Sequence, residues 1–497
     1  MSAQEPLPLS QPLENEWETL RSAVGGRLFA GVPFAHPCFT QGFDSTECAA
    51  VQASYLDEVA RANVAEAYIQ TQWETCQTSE EQQCLLSYTN PSDNSPTTAP
   101  HKCRLGSIPE WFHDYKGRSS APRSLALWTH NLKDISYDPA FVPEGCSEAS
   151  PGVTAGVQWG EAYAFAEANN ITVVGGSDRS VGVAGGWLQG GGHGALSNTM
   201  GLGADRVLQF KVVTPDGEHR VVNECQNQDL FFALRGGGGG TFGVVLEATV
   251  LASPQVKLQS VIVTFTPEAA RTKELWTIIT DNGLKWADEG WGGFSTSGIA
   301  IFINPGSNKE DAANSMEPLV LFGKRLQSEG VKGVNVIVTE FPSWGTFFDA
   351  FTKDHVAVVG SSLALASRLI SKDNFRTVTD RSTLVSGLLA VEAATPGALI
   401  ILITAPSSYP TTGQTSVTDA WRTSVYHVTV VSPWNWNATV EEKKGHYSTV
   451  SRSIDNLRKI TPDAAYLNEA DVYEPNYKVG WNPKSPRFAC YLSLENE

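Results

Sequence analysis

Residues 171–205 read ITVVGGSDRSVGVAGGWLQGGGHGALSNTMGLGAD, and a further glycine run, LRGGGGGTFGVV, occupies 234–245. Glycine carries a large backbone entropy cost and interrupts helices and strands alike. So many together in a folded chain imply main chain lying against something flat or highly charged. The apolar residues among them (Val181, Val183, Trp187, Leu188, Leu196 and Leu202) argue for a packed site rather than a linker. The runs read as a cradle for a large phosphate-bearing cofactor, with tight turns between core strands as the plainer alternative. Gly238, Gly240 and Gly243 have the spacing of a dinucleotide turn, but that turn follows a strand and opens a helix. Here the glycines follow a helical pattern and run into the strand-like VVLEATV, which argues against a nicotinamide dehydrogenase. The stretch GGWLQGGGHG at 185–194 lacks the Lys and Ser/Thr of a phosphate loop, so NTP hydrolysis is disfavoured.

Around this centre the chain divides into four regions. Residues 1–105 are loop-rich, with one helical pattern at 56–71. Residues 106–255 hold the glycine runs, with strand patterns at 125–129, 171–174 and 244–251 and helical ones at 156–169 and 229–234. A hairpin is expected from 208–213 through Pro215-Asp216-Gly217 to 220–222. Residues 256–454 alternate differently: strands at 257–265, 293–303 and 334–339, helices at 267–287 (capped by Thr266) and 311–328. That order suits an antiparallel sheet with helices on one face, an α+β arrangement able to cover a substrate. Residues 455–497 return to polar, loop-like sequence.

The 497 residues carry 36 Lys and Arg against 53 Asp and Glu, a formal charge of −17. Such a surface repels phosphate backbones and anionic membranes, so nucleic acid and membrane partners are not expected. No apolar run is long enough to span a bilayer. Eight cysteines, five of them within the first 103 residues, form no CxxC pair and read as disulfides of an irregular N-terminal segment. Cysteine usage and a sequon at Asn437 point to export, whereas the start MSAQEPLPLSQ has neither the basic nor the apolar part of a signal peptide.

The chemistry-bearing side chains are few. His113, in WFHDYKGRSS, reads by local composition as a surface histidine. His193 stands among glycines, where no side chain blocks a ligand. Tyr466, Asn468, Glu469, Asp471, Tyr473 and Glu474 concentrate acids and phenols near the C-terminus, as a site or as a solvated loop. No HxxxH, HExxH, DxDxDG or GxSxG pattern occurs, so metal and serine-hydrolase readings lack support.

Four segments in order carry a resemblance: HDYKGRSSAPRSLALWTHNLKDI at 113–135, VVGGSDRSVGVAGGWLQGGGHGALSNTMGLGAD at 173–205, DLFFALRGGGGGTFGVV at 229–245 and YLNEADVYEPNY at 466–477. EGWGGF at 289–294 and SRLI at 367–370 extend it more weakly. Together they resemble the FAD-linked oxidases of the vanillyl-alcohol-oxidase type, in the berberine-bridge-enzyme-like branch and its fungal isoamyl-alcohol-oxidase-like group. The resemblance implies a two-part FAD-binding domain with an inserted α+β substrate domain over the isoalloxazine ring. It implies oxidation of an alcohol or other hydroxylated small molecule, with hydride passing to the flavin and molecular oxygen as acceptor, giving hydrogen peroxide. His113 matches the histidine that bonds covalently to the flavin. Gly117, Arg118, Ser119, Gly176, Gly182, Gly185, Gly186, Gly190, Gly191, Gly192, His193, Gly203, Gly243 and Asn468 fall on the cofactor-binding segments. Gly175-Gly176-Ser177-Asp178 holds no cysteine for the second flavin link some members have, so single attachment is implied. Relatives place a tyrosine base where this chain has Glu469; a buried carboxylate with a raised pKa would serve, assisted by Tyr466. A monomer is expected.

Two departures stand out. Relatives have a strand–helix–strand unit ending in a KNTG-like turn before the histidine segment, whereas CRLGSIPEW here runs straight into FHDYKGRSS. The relatives' C-terminal FWGxNY…DP…F…GxGSExW pattern is replaced by KVGWNPKSPRFACYLSLENE. The alternative expectation is therefore a truncated or mis-spliced relict of the family that binds flavin weakly or not at all.

Overall fold

A computed structural model describes residues 14–29, 31–39, 43–65, 67–74, 84–92, 115, 125–352, 359–410 and 414–476. Two antiparallel sheets dominate them. The first is five-stranded, in the order Ile135–Phe141, Ser150–Ala155, Val244–Leu251, Val207–Val213, His219–Asn223. Its last two strands form the hairpin expected around Pro215-Asp216-Gly217, with Gly217 at φ +82°. The helix Trp159–Ala168 buries Trp159, Ala162, Tyr163 and Ala166 against this sheet, a helical spacing of apolar residues.

The second sheet has seven strands, in the order Asn335–Phe341, Leu258–Thr264, Ile299–Asn304, Gly292–Ser295, Leu399–Ile403, Ser424–Trp434, Ser362–Ser371. Helices Ala269–Asp288, Glu317–Ser328, Val378–Ala394 and Val440–Arg458 cover one face, where Val428, Val430, Ala364, Ala366 and Ile401 meet Trp276, Ile279, Leu388 and Ile454. Alternation sends Thr429, Val431, Leu363, Leu365, Ile400 and Leu402 to the opposite face, which lines a cavity. With both faces covered, the strand Ser362–Ser371 is buried at all ten positions. Leu258, Ile262, Ile301 and Ile303 of this sheet join the core under the first one, so the two halves share packed interior. The fold is α+β, as expected.

Several local expectations are corrected. Residues 125–129 form no strand. The helical pattern at 56–71 breaks at Asn63, because the buried Arg61 turns its guanidinium to the carbonyls of Tyr55 and Tyr68 and to Glu74, and only a short 3-10 turn, Thr71–Glu74, follows. Residues 293–303 fold as two strands, since Ser297-Gly298 turns the chain and Thr296 N–H donates to the Ile299 carbonyl at 2.9 Å. The 311–328 helix is two, Lys309–Ser315 and Glu317–Ser328, because Pro318 has no N–H for an uninterrupted helix. Glu268, not Thr266, caps Ala269–Asp288 by accepting from Ala270 N–H. A disulfide joins Cys38 to Cys48 in the N-terminal region, but another, Cys146–Cys225, braces the first sheet. Among the described residues no helix is long and apolar enough to cross a membrane.

Candidate active site

A cavity of about 440 Å³ opens between the two sheets. Gly176, Gly182, Gly185 and Gly186 from the first glycine run, with Gly239 and Gly240 from the second, form one wall. A Cβ at Gly186 or Gly240 would meet no protein atom within 4 Å, so side-chain-free backbone faces open space there. Gly190, Gly191, Gly192, Gly203 and Gly243 stand behind this wall. Their lack of a side chain serves internal packing: a Cβ at Gly192 would lie 2.7 Å from the Trp187 ring, and Gly203 abuts the same ring. Gly190 leaves room for the Asn468 carboxamide, Gly191 lies beside Val417, and Gly243 abuts the Val213 carbonyl.

The glycine wall is braced from behind. Gly203 N–H donates to Gly192 O at 2.7 Å, Ala204 N–H to Gly191 O at 2.8 Å, and Arg422 forks onto both oxygens of Asp205 at 2.6 and 2.7 Å. Gly192 also has φ +74°, which any side chain strains. Gly192→Ala is therefore expected to lower unfolding free energy by about 1–3 kcal/mol, read from urea midpoints; an unchanged midpoint would show that Trp187 can move aside freely.

The segment 463–474 reaches the cavity through Tyr466, Asn468 and Glu469. Two arginines hold it, the fully buried Arg368 and the part-buried Arg458: Arg368 bonds Glu474, Asp463 and the Thr461 hydroxyl, each at 2.9 Å. Arg458 bonds Asp471 at 2.6 Å and Glu474 at 3.0 Å. Between these anchors, Glu469 N–H donates to Tyr466 O at 2.9 Å, a turn that presents Tyr466, Asn468 and Glu469 to the cavity. Asn468 Nδ2 donates to Gly186 O at 2.9 Å and to the Tyr466 hydroxyl at 2.6 Å, joining this segment to the glycine wall.

Glu469 lies between two imidazoles. Its Oε1 is 3.4 Å from His193 Nε2 and its Oε2 3.3 Å from His427 Nε2. His193, His427, Trp421 and Tyr466 pack edge and face around one another, with ring centroids 4.9–5.8 Å apart. The raised carboxyl pKa expected from the sequence is corrected here. Burial pushes Glu469 up, but His193 and then His427 more than offset it, so its pKa lies below the usual glutamate value. The carboxylate is thus charged at neutral pH. Burial, with a smaller push from His193, drives the His427 imidazole down to about 3 against the pull of Glu469, so it is neutral.

The depressed His427 has a consequence for stability. Between about pH 6.5 and 3 the unfolded chain takes up a proton that the folded chain refuses, so stability falls as pH drops through that window. The slope due to this one group approaches about 1.4 kcal/mol per pH unit. Urea unfolding of the protein and of His427→Phe at pH 5 to 7 checks it: the variant is expected to lose less stability on acidification, and parallel curves would rule it out.

His113, Gly117, Arg118 and Ser119 lie outside the described residues. Tyr115, between them, lines the cavity; burial first, then the charges of Glu469 and Asp178, push its phenol far up. Sequence reasoning missed Tyr115 and His427. A lone histidine inside SVYHVTVV, where every neighbour suits a buried strand, was the available signal for the second.

Residues 119–223 match the FAD binding domain family. The chain is 32% identical over 510 residues to the FAD-linked oxidoreductase cheF of Chaetomium globosum, covering 94% of this chain and 81% of that protein. It is likewise 32% identical over 531 residues to the FAD-linked oxidoreductase OXR2 of Pyricularia oryzae, covering 97% and 89%. The solved VAO-type flavoprotein MtVAO615 of Myceliophthora thermophila C1 superposes with a TM-score of 0.82 at 23% identity, covering 99% of this chain and 93% of its own. The cavity suits the cofactor those names carry. Bare main chain at Gly186 and Gly240 leaves room for a flat ring system, and the buried Gln189 Oε1 has no hydrogen-bond partner among the described residues. With relatives this similar over most of its length, the chain belongs to the FAD-linked oxidoreductases, and it has the fold of the VAO-type flavoproteins.

Proposed function

We propose that the protein oxidises a hydroxyl group carried on a largely apolar small molecule. The observation that carries this reading is the ionised Glu469, which lines the cavity between His193 and His427 on a segment joined to the glycine wall. When bound, FAD would supply the hydride acceptor, with molecular oxygen as the final acceptor and hydrogen peroxide as its product. His113, by the family resemblance, would tether it covalently, and Gly176, Gly182, Gly185, Gly186 and Asn468 would hold it against the wall. Glu469 takes the hydroxyl proton, while Tyr466, hydrogen-bonded to Asn468, fixes the turn that aims the carboxylate.

The sheet side of the cavity sets the substrate's character. Leu363, Leu365, Ile400, Leu402, Val431 and Phe294 present hydrocarbon, relieved only by the hydroxyls of Thr404 and Thr429. Each substrate hydroxyl buried there without a partner costs about 1–3 kcal/mol. A substrate with one hydroxyl on an apolar frame avoids that cost, and a sugar does not.

Acid precipitation of purified protein tests the cofactor arm: the pellet is expected to be yellow, and His113→Ala to leave the colour in the supernatant. Colourless protein from a flavin-replete host would favour the relict reading instead. A peroxide-detecting screen tests the substrate arm, with apolar alcohols expected to outperform sugars.

A further inference from the structure

Near the candidate base, several buried polar atoms have no hydrogen-bond partner among the described residues: both ring nitrogens of His427, Nδ1 of His193 and Oε2 of Glu469. Buried groups are nearly always paired, and each exception needs a physical reason. Two of these atoms, His427 Nε2 and Glu469 Oε2, face each other at 3.3 Å. His427 is fully buried on the strand Ser424–Trp434, on the same face as the cavity-lining Thr429 and Val431, and stands behind the carboxylate.

Two histidines and a glutamate with ligand atoms within 4.8 Å of one another also have the composition of a divalent-metal site. A metal-bound imidazole, however, almost always donates its other N–H to an acceptor. Neither His193 Nδ1 nor His427 Nδ1 has one among the described residues. The cluster is built to handle a proton.

We propose that His427 is a positioning residue that donates Nε2–H to Glu469 Oε2, leaving Oε1, beside His193, as the atom that accepts the substrate's proton. The inference rests on Glu469 being the base. Only the tautomer with hydrogen on Nε2 suits the carboxylate, because two lone pairs at this distance repel. The donor's neutrality matters. An imidazolium in this low-dielectric spot would hold the carboxylate so firmly ionised that it became a poor proton acceptor, whereas a neutral N–H orients it and only partly offsets its desolvation. Catalytic hydrogen bonds are often long and poorly aligned until substrate is bound, so the 3.3 Å pair tightens in the loaded site. The remaining titratable groups near the pair are His193 on the glycine run, Tyr466 on its own segment, and Tyr115; Trp421 closes the other side.

The test uses the full chain with flavin bound. In His427→Phe, which keeps the ring volume and removes both nitrogens, the acidic limb of kcat/KM is expected to move up by about one pH unit. Flavin reduction at neutral pH should slow at least tenfold, with KM and flavin content little changed. His427→Gln, whose Nε2–H reaches the same oxygen, should restore the limb towards its original position. Isotope-edited infrared titration of the Glu469 carboxylate reads the same shift without turnover. An unmoved limb and an unmoved carboxylate titration in His427→Phe overturn the proposal, as does stoichiometric zinc or iron whose chelation abolishes activity. If His427→Phe does not fold, an acidic limb in His427→Gln displaced as far as that of His427→Ala overturns it equally. Undiminished flavin reduction in Glu469→Gln would instead remove the base on which the inference rests.

Discussion

Glu469→Gln is expected to leave flavin bound and slow its reduction by substrate by about 10²- to 10⁴-fold, the range spanned by general-base catalysis. Glutamine keeps the shape, and its one carbonyl oxygen can still accept from one of the two imidazoles, so the turn from Tyr466 to Glu469 and the Asn468 contact with Gly186 should persist. What disappears is the anion. In this chain the carboxylate is charged because two imidazoles oppose its desolvation, so it is ready to accept a proton at neutral pH. Rapid-mixing measurements of flavin bleaching without oxygen isolate the step. A rate within threefold of the parent would remove Glu469 from the proton transfer and turn attention to His193, which lines the same cavity.

Arg368→Met is expected to cost about 3–5 kcal/mol of stability, the range seen when one partner is removed from a buried ion pair. Arg368 is fully buried and holds Glu474, itself buried, together with Asp463 and Thr461. Methionine fills most of the volume but leaves Glu474 to Arg458 alone, in a place where water cannot compensate. The loss should also reach the active site, because this network fixes the two ends of the segment carrying Tyr466, Asn468 and Glu469. Urea unfolding should show the stability change, and flavin reduction in the surviving folded fraction should slow as well. A loss below about 1 kcal/mol would mean the pair is largely replaceable, as some buried ion pairs are. Arg368→Lys, which keeps charge without the planar fork, should fall between the two.

The regular elements with strong patterns were legible in the residues. The hairpin around Pro215-Asp216-Gly217, the helix at Trp159–Ala168 and the helix Ala269–Asp288 appear within a few residues of their expected bounds. Turn chemistry and apolar spacing act locally, so a short window contains their cause. The pattern at 56–71 misled because a buried arginine in it found distant carbonyls and Glu74, a tertiary bond that outweighs local helical preference. For the glycine runs the sequence offers a ligand cradle or tight turns between core strands, and both uses occur. Gly186 and Gly240 face the cavity, whereas Gly190, Gly192 and Gly203 make room for Asn468 and Trp187. Composition cannot separate these uses, because a missing side chain looks the same whichever neighbour requires it.

By itself the sequence determined the kind of protein: an acidic α+β chain whose glycine runs, histidine segment and C-terminal YLNEAD belong to a flavin-linked oxidoreductase. Local patterns and motif order are properties of the chain, so they survive without coordinates. Only the tertiary structure decided the state of Glu469. It brings His193 from the glycine run and His427 from the middle of a strand to opposite sides of one carboxylate, 276 and 42 residues away in sequence. A charge buried alone rises towards neutrality, and the same charge between two imidazoles stays ionised. That difference depends on distances of a few ångströms between residues the sequence leaves far apart.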